Sequence, residues 1–274
     1  MKAYLALIGI DLKLALRQRT VIFFNYLFPL IFFFTFGVFL GARNDVSKAT
    51  QVLTMSTTLG ILGNGLFGAG IRALQEREMN ILRRYKVTPI TPGPILVASM
   101  VTGWMIFLPY ILLLLAVSHY WYHMPWPASP LSLIVFISIG LVAFRSIGLV
   151  IASVANTMQE GTILVQLMYF PMLFLSGATF PIENGPAILK IISGFIPATY
   201  LVKGMTGIML KGQDLADVKA YAGALVLTLA VGFIVGVNLF RWEKEEKIRG
   251  TAKLWVLAVL LPFFVMGIVQ WIRR

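Results

Sequence analysis

An all-α integral membrane protein is the fold class this sequence predicts, and three observations predict it. Of 274 residues, 58% are hydrophobic and only 12% charged, with a mean hydropathy of +0.85, which is outside the range of soluble globular domains. Apolar runs recur near 21–41, 52–71, 95–118, 131–154, 163–181, 220–240 and 254–272, each close to the ~20 residues that carry a helix across a ~30 Å hydrocarbon core. Those lengths suit helices rather than the shorter strands of a barrel. The third observation is charge asymmetry. With an inside N-terminus and every run crossing, segments 1–20, 72–94 and 241–253 hold 14 of the 23 Lys and Arg residues. The opposite side holds 8, namely Arg43, Lys48, Lys190, Lys203, Lys211, Lys219, Arg273 and Arg274. Short basic loops stay inside, so the net charge of +12 and pI near 10.1 reflect topology. They do not form the single basic stripe of a nucleic-acid binder.

The elements follow in order. In residues 1–20, Leu5, Ile8, Leu12, Ala15 and Leu16 recur at helical spacing beside Lys2, Lys13 and Arg17, which predicts an amphipathic helix in the inner headgroup region. The first apolar run exceeds the ~7–15 residues of a signal h-region, so it is expected to remain as an anchor. Arg43–Gln51 is a polar loop. In the second span, Thr54, Thr57, Thr58 and Ile61 lie near one face, and Gly60, Asn64 and Gly68 sit four apart, a spacing that lets helix backbones approach closely.

Residues 72–86, RALQEREMNILRRYK, pack seven charges between two apolar runs and must lie in water. Read as one helix at ~100° per residue, Ile71, Leu74, Ile81, Leu82 and Tyr85 share a stripe. Arg72, Glu76, Arg77, Arg83 and Arg84 point elsewhere. Glu78 falls inside the stripe, where an unpaired carboxylate is costly unless a partner meets it. A docking surface formed by Arg72, Glu76, Arg77, Glu78, Arg83 and Arg84 is therefore expected; the plainer reading is a solvated loop helix. VTPITPGPI then makes an elbow, because proline ends one helix and opens the next.

The third span ends in HYWYHMPWPASP, whose Trp and Tyr residues suit a membrane interface. The fourth carries Arg145, and the loop at 156–162 is too short for a soluble domain. The fifth contains Gln166, Met168, Tyr169, Phe170 and Pro171. Between Pro186 and Tyr200 the apolar stretch is only ~13 residues, too short to cross, and predicts a re-entrant or interfacial helix on the outer side. A sixth span and the charged inner segment RWEKEEKIRGTAK precede a run at 254–272. As a seventh span that run leaves Arg273 and Arg274 outside, against the charge bias.

Two motifs resemble one family, the permease subunits of ABC-2 type ATP-binding-cassette exporters. EREMNILRRYKVTP, Glu76 to Pro89, is similar to that family's acidic-arginine helix followed by Thr-Pro. FLSGATFPIENGPAILKIISGFIPATYLVKGM, Phe174 to Met205, resembles its Ser-Gly and Phe-Pro stretch, outer re-entrant helix and Pro-x-x-Tyr ending, here Pro197 and Tyr200. The resemblance covers roughly residues 1–245. It implies a six-helix ABC-2 type transmembrane domain at 21–245, preceded by the amphipathic helix; the run at 254–272 departs from that pattern and is either an extra C-terminal seventh span, as expected from its length, or an inner-leaflet hairpin. It also implies a homodimer or heterodimer with a second permease, a plasma (inner) membrane location with a cytosolic N-terminus, and a separate ATPase subunit that carries ATP and Mg and docks between spans two and three. No cofactor is expected in this chain. The implied pathway, between second and fifth spans at the dimer interface, selects Thr57, Asn64, Phe67, Gln166, Met168 and Phe170, and its greasy, mixed walls suit an amphipathic drug-like or lipid-like cargo.

Each candidate has a plainer alternative. Met and Phe in a span are usually packing. Arg145, a lone charge costing about 2.5–3.5 kcal/mol on insertion scales, is either a structural donor to neighbouring carbonyls or Gln166, or a contact for an anionic substrate or for Glu160. His119 and His123 have metal-ligand spacing on a helix but no acid or Cys beside them, which favours interface packing, and no metal site is expected. The chain has no Cys, and GxxxxGK[ST], HExxH and GxSxG are absent, so neither ATP binding nor protease or esterase chemistry is expected of it. The rival classes are an ATP-independent carrier or channel, which needs a coupling acid within a span, and a membrane-embedded enzyme, which needs a clustered acid, His or Ser constellation.

Overall fold

A computed structural model describes residues 2–17, 22–182, 185–246, 248, 251 and 254–272. Glu183, Arg273 and Arg274 lie outside the described residues. Helix α1 (Lys2–Arg17) packs along the third span. It buries Leu7 and Ala15 and leaves Leu5, Ile10, Leu14 and Leu16 exposed, as suits a helix with one flank in lipid. A π turn (Phe23–Leu27) leads into α2 (Phe28–Phe39), and Gly41 reverses the chain at φ +66°, a backbone geometry that glycine adopts without steric cost. Asp45 caps the next helix by accepting from the backbone N–H groups of Ser47 and Lys48 at 2.9 and 3.2 Å, which satisfies two orphan donors.

The second span is longer than its apolar run predicts. Helix α3 (Val46–Leu62), a π stretch (Gly63–Ile71) and α4 (Arg72–Glu78) form one continuous helix of 33 residues. The expected single helix over 72–86 is broken. Asn80 takes the left-handed conformation at φ +56°, which Asn tolerates better than most residues, and α5 (Ile81–Lys86) starts afresh. Pro92 at the first helical position then opens α6 (Pro92–Tyr122), as the proline elbow predicts.

Helix α7 (Pro130–Val154) occupies the centre, packed chiefly against the π stretch and against α11 (Lys219–Asn238). The close backbone approach expected at Gly60, Asn64 and Gly68 occurs instead through Gly65 and Gly70. A Cβ on Gly65 would lie 2.8 Å from the Phe144 backbone, and one on Gly148 would lie 2.2 Å from the Gly65 carbonyl oxygen. The wider π turn shifts the contacting face along the sequence, and Gly60 faces the Phe107 and Tyr110 rings.

Helix α8 (Met158–Leu175) starts and ends earlier than the run at 163–181, because Thr157 caps it and Gly177, at φ +90°, follows its last turn. The outer stretch is not one re-entrant helix but two, α9 (Ala187–Ser193) and α10 (Pro197–Leu210), bent by 98°. The last helix, α12 (Trp255–Ile272), is apolar and 18 residues long. Among the described residues, five helices are long and apolar enough to cross a membrane, and the bent α9–α10 pair makes a sixth candidate. The chain is a multi-pass, all-helical membrane protein.

Candidate functional site

At one end of the bundle, α4 and α5 form a charged hairpin between the second and third spans, and the six charges expected to dock divide between two environments. Arg72 is tied to Glu76 at 2.9 Å and to Asp11 of α1 at 3.0 Å, all partly buried. Arg77, only 3% exposed, is a correction to the expected solvent-facing set. It donates to the carbonyls of Ala152 at 2.9 Å and Ala155 at 2.6 Å, satisfying the last turn of α7. Glu78 is half-buried, while Arg83 and Arg84 are exposed. The face open to a partner is therefore Glu78, Arg83 and Arg84, beside Met79, which is 61% exposed. Lys86 pairs with Glu243 at 3.0 Å and Glu246 at 3.5 Å. That bond holds the Glu243 carboxyl below, and the Lys86 ammonium above, their ordinary ranges. Behind the hairpin, α1, α4, α5 and α6 enclose a cleft of about 100 Å³ whose wall includes Asp11, Arg72, Glu76 and Tyr85.

Inside the bundle, Arg145 is 3% exposed and fully engaged at its Nη atoms. Nη1 donates to the Asn64 carbonyl at 3.1 Å and to its Oδ1; Nη2 donates to the Ser99 carbonyl at 2.6 Å and to its Oγ at 2.9 Å. Asn64 extends the chain by donating to Asn25 Oδ1 at 2.8 Å. A Cβ on Gly103 would fall 2.1 Å from the guanidinium, so this glycine makes the room. The π stretch presents both the carbonyl and the side chain of Asn64 to one donor. The partners are neither Gln166 nor Glu160. Glu160 instead accepts from the Asn156 N–H at 2.8 Å and completes the cap of α8. Ser99 and Asn25 carry no sequence signal that marks them, since each is one small polar residue in an apolar run.

The six expected pathway residues also separate. Thr57 and Asn64 are buried in the subunit's own core, because α7 and the rewound π stretch close over them. Phe67 is half-buried edge-on to Tyr169, with ring centroids 5.2 Å apart, and Met168 packs against the core. Gln166 and Phe170 are exposed. With Ile163, Leu167 and Phe174 they form a continuous i, i+3, i+4 stripe along α8.

At the other end, Pro197 opens α10 and Tyr200 is fully buried, its hydroxyl donating to the Gly194 carbonyl at 2.5 Å across the bend. The ring stacks on Phe263 of α12 at 5.6 Å. His119 hydrogen-bonds the Met124 carbonyl at 2.8 Å and lies against Trp126, while His123 ends α6 at φ +53°. Among the described residues no three His, Asp or Glu side chains gather as a metal site requires.

Span-length helices around a central α7, a charged hairpin after the second and a bent pair near the opposite end make up a multi-pass helical membrane domain. The chain matches the ABC-2 type transporter family over residues 2–210 and belongs to it. It is 25% identical to "Linearmycin resistance permease protein LnrN" of Bacillus subtilis over 180 residues, which cover 64% of this chain and 46% of that protein. It is 27% identical to "Probable multidrug ABC transporter permease YbhR" of Escherichia coli over 187 residues, 66% of this chain and 49% of that one. To "Nodulation protein J" of Rhizobium leguminosarum bv. viciae it is 34% identical over 105 residues, 38% and 40% of the two chains. The chain thus spans about half or less of the length of these relatives.

Proposed function

We propose that this chain is the membrane-spanning half of an ATP-driven exporter, paired with a second permease and powered by a separate ATPase that carries ATP and Mg. The observation that supports this most is the unbroken helix from Val46 to Glu78. A load on Glu78 reaches the packed centre of the bundle along one helix, and a load on Arg83 or Arg84 enters that helix through the turn at Asn80. ATPase docking on Glu78, Arg83 and Arg84 puts this end in the cytosol and the α9–α10 bend outside, with an inside N-terminus in the plasma membrane. ATP-driven closure of the two ATPases tilts the second spans and opens the path between subunits outward. The exposed stripe of α8, with Gln166 and Phe170 among aliphatic residues, suits an amphipathic drug-like or lipid-like cargo, as do two relatives named for linearmycin resistance and multidrug transport. An ATP-independent carrier or a membrane enzyme is disfavoured because both Nη atoms of Arg145 are already occupied by Asn64 and Ser99 and, among the described residues, no three His, Asp or Glu side chains gather as a metal site requires.

The test is to purify the tagged chain from its native membrane. A bound ATP-binding-cassette ATPase whose Mg-ATP hydrolysis rises in the complex is expected; a chain that moves solute with no such subunit overturns the reading.

A further inference from the structure

The segment after the sixth span makes more specific bonds than a solvated inner loop requires. Arg241, 6% exposed, donates to the Ala155 carbonyl, to Asn156 Oδ1 at 2.8 Å and to the Glu246 carbonyl at 2.7 Å. Glu246 accepts in turn from the Trp242 N–H at 3.2 Å, and Asn156 Oδ1 also accepts from the Ile248 N–H at 3.1 Å. The segment is thus folded on itself and fixed to the turn between α7 and α8. Burial beside Arg77 lowers the Arg241 guanidinium to about 10, still charged at neutral pH. Its opposite edge faces α5, where Glu243 meets Lys86 at 3.0 Å and Arg83 at 3.9 Å.

These bonds connect the hairpin to α8 by a route separate from the second span. It runs from Lys86 on α5 to Glu243 and Glu246, through Arg241 to Ala155 and Asn156, and from Asn156 to Glu160 in the first turn of α8. We infer that Arg241–Glu246 is a transmission strap that carries movement of α5 to the start of α8, with Arg241 and Glu243 as positioning residues. The inference rests on the exporter reading, since it needs an ATPase to move α5. It adds a second lever: the same docking event reaches the second span through α4 and the fifth through the strap. The α5 edge of the strap is partly exposed, and a single exposed pair holds little. Charge reversal there should therefore break the link without unfolding the buried Arg241 end.

The absence of cysteine makes the test direct. A single Gln159→Cys at the exposed start of α8 is labelled with a water-soluble thiol reagent, in the complex with its copurified ATPase, with and without a non-hydrolysable ATP analogue and Mg. Nucleotide is expected to change the labelling rate about fivefold, a typical coupling between linked sites. Glu243→Lys should abolish the change while the ATPase stays bound, and Glu243→Asp, which keeps a carboxylate opposite Lys86 and Arg83, should retain it. An unchanged nucleotide response in Glu243→Lys, a lost response in Glu243→Asp, or release of the ATPase by Glu243→Lys overturns the strap. Absence of any ATPase from the unmodified chain overturns the exporter reading instead.

Discussion

Arg145 and Asn64 are joined twice, because one guanidinium nitrogen donates both to the Asn64 carbonyl and to its side-chain oxygen. Neither residue has a carboxylate at this contact, so the buried charge is stabilised by oriented carbonyl and amide dipoles. A buried charge is tolerated when such partners satisfy it. The arrangement pins the π stretch of the second span to α7 and, through Ser99, to α6. It reads as the structural of the two roles open to this arginine.

Arg145→Ala should consequently lower folded yield and transport in parallel, with a stability loss of about 2–3 kcal/mol for the charged hydrogen bonds removed. Arg145→Lys should rescue little, since an ammonium is a point donor and cannot serve Asn64 and Ser99 from two fork positions. Melting curves in detergent, set beside transport per folded molecule, decide it. Normal stability with lost transport would transfer Arg145 to the cargo path.

How much of this the sequence revealed depends on the range of the interaction. The spans at 52–71, 95–118, 131–154, 220–240 and 254–272 and the proline elbow at Pro92 were legible, because length, apolarity and proline act locally; the 98° bend before Pro197 was not, since the short apolar stretch read as one helix. The break at Asn80 was not legible, since a uniform helical wheel carries phase through a residue that the backbone uses as a turn. Thr57 and Asn64 were assigned to a pathway but are buried within this subunit: the π stretch changes the phase at Asn64, and the helices that cover Thr57 are distant in sequence. Arg77 looked solvated by its neighbours in sequence; its partners, Ala152 and Ala155, lie on α7 and have no local signature.

The two hairpin arginine classes should separate experimentally. Arg84→Glu is expected to release most of the ATPase while the permease inserts and melts normally, and Glu78→Lys and Arg83→Glu should weaken docking. Arg77→Ala should instead lower melting temperature, because it removes the side-chain donor to the Ala152 carbonyl and one of the two to the Ala155 carbonyl. Pull-down yield and thermal stability, measured on the same preparations, would refute the division if Arg77→Ala behaved like Arg84→Glu.

The exposed stripe of α8 predicts contact with the second permease. Phe170→Cys, in this cysteine-free chain, should cross-link two copies in native membranes if they form a homodimer, or a copy to its partner permease carrying the matching cysteine. Thr57→Cys, only 2% exposed at the native residue, should not cross-link. The reverse pattern would return the interface to the second span.

The strap contact should be insensitive to pH across the physiological range. Glu243 is held below its ordinary value of 4.5 chiefly by its hydrogen bond to Lys86. A carboxylate so lowered contributes above its unfolded pKa and loses the contribution as pH falls through the folded one. Lys86 is held above its ordinary 10.5 by the same bond; its contribution is complete below the unfolded pKa and lost as pH rises through the folded one. A fluorophore on Glu245→Cys should therefore keep constant anisotropy from about pH 5.5 to about pH 9 and loosen on the acid side below about pH 4.5. A midpoint near neutrality would show that other groups hold the segment.

The last helix offers the clearest test of topology. The charged segment before α12 lies beside α5, through Glu243 and Lys86, whereas its far end packs against the α9–α10 bend. Phe264 meets Phe195 at 5.9 Å, and Gln270 accepts from Lys203 at 3.2 Å. A Cβ on Gly267 would come within 2.8 Å of the Gly194 carbonyl. An 18-residue helix rising ~1.5 Å per residue covers ~27 Å, enough to cross a hydrocarbon core of ~30 Å with flanking interfacial residues. A hairpin within one leaflet would not carry the chain from Glu243, beside Lys86, to Gln270 at the bend. Ile272→Cys should therefore react with a membrane-impermeant thiol reagent in intact cells, and Met79→Cys on the hairpin only after lysis. Labelling of Ile272→Cys only after lysis would place both ends of α12 on the inside.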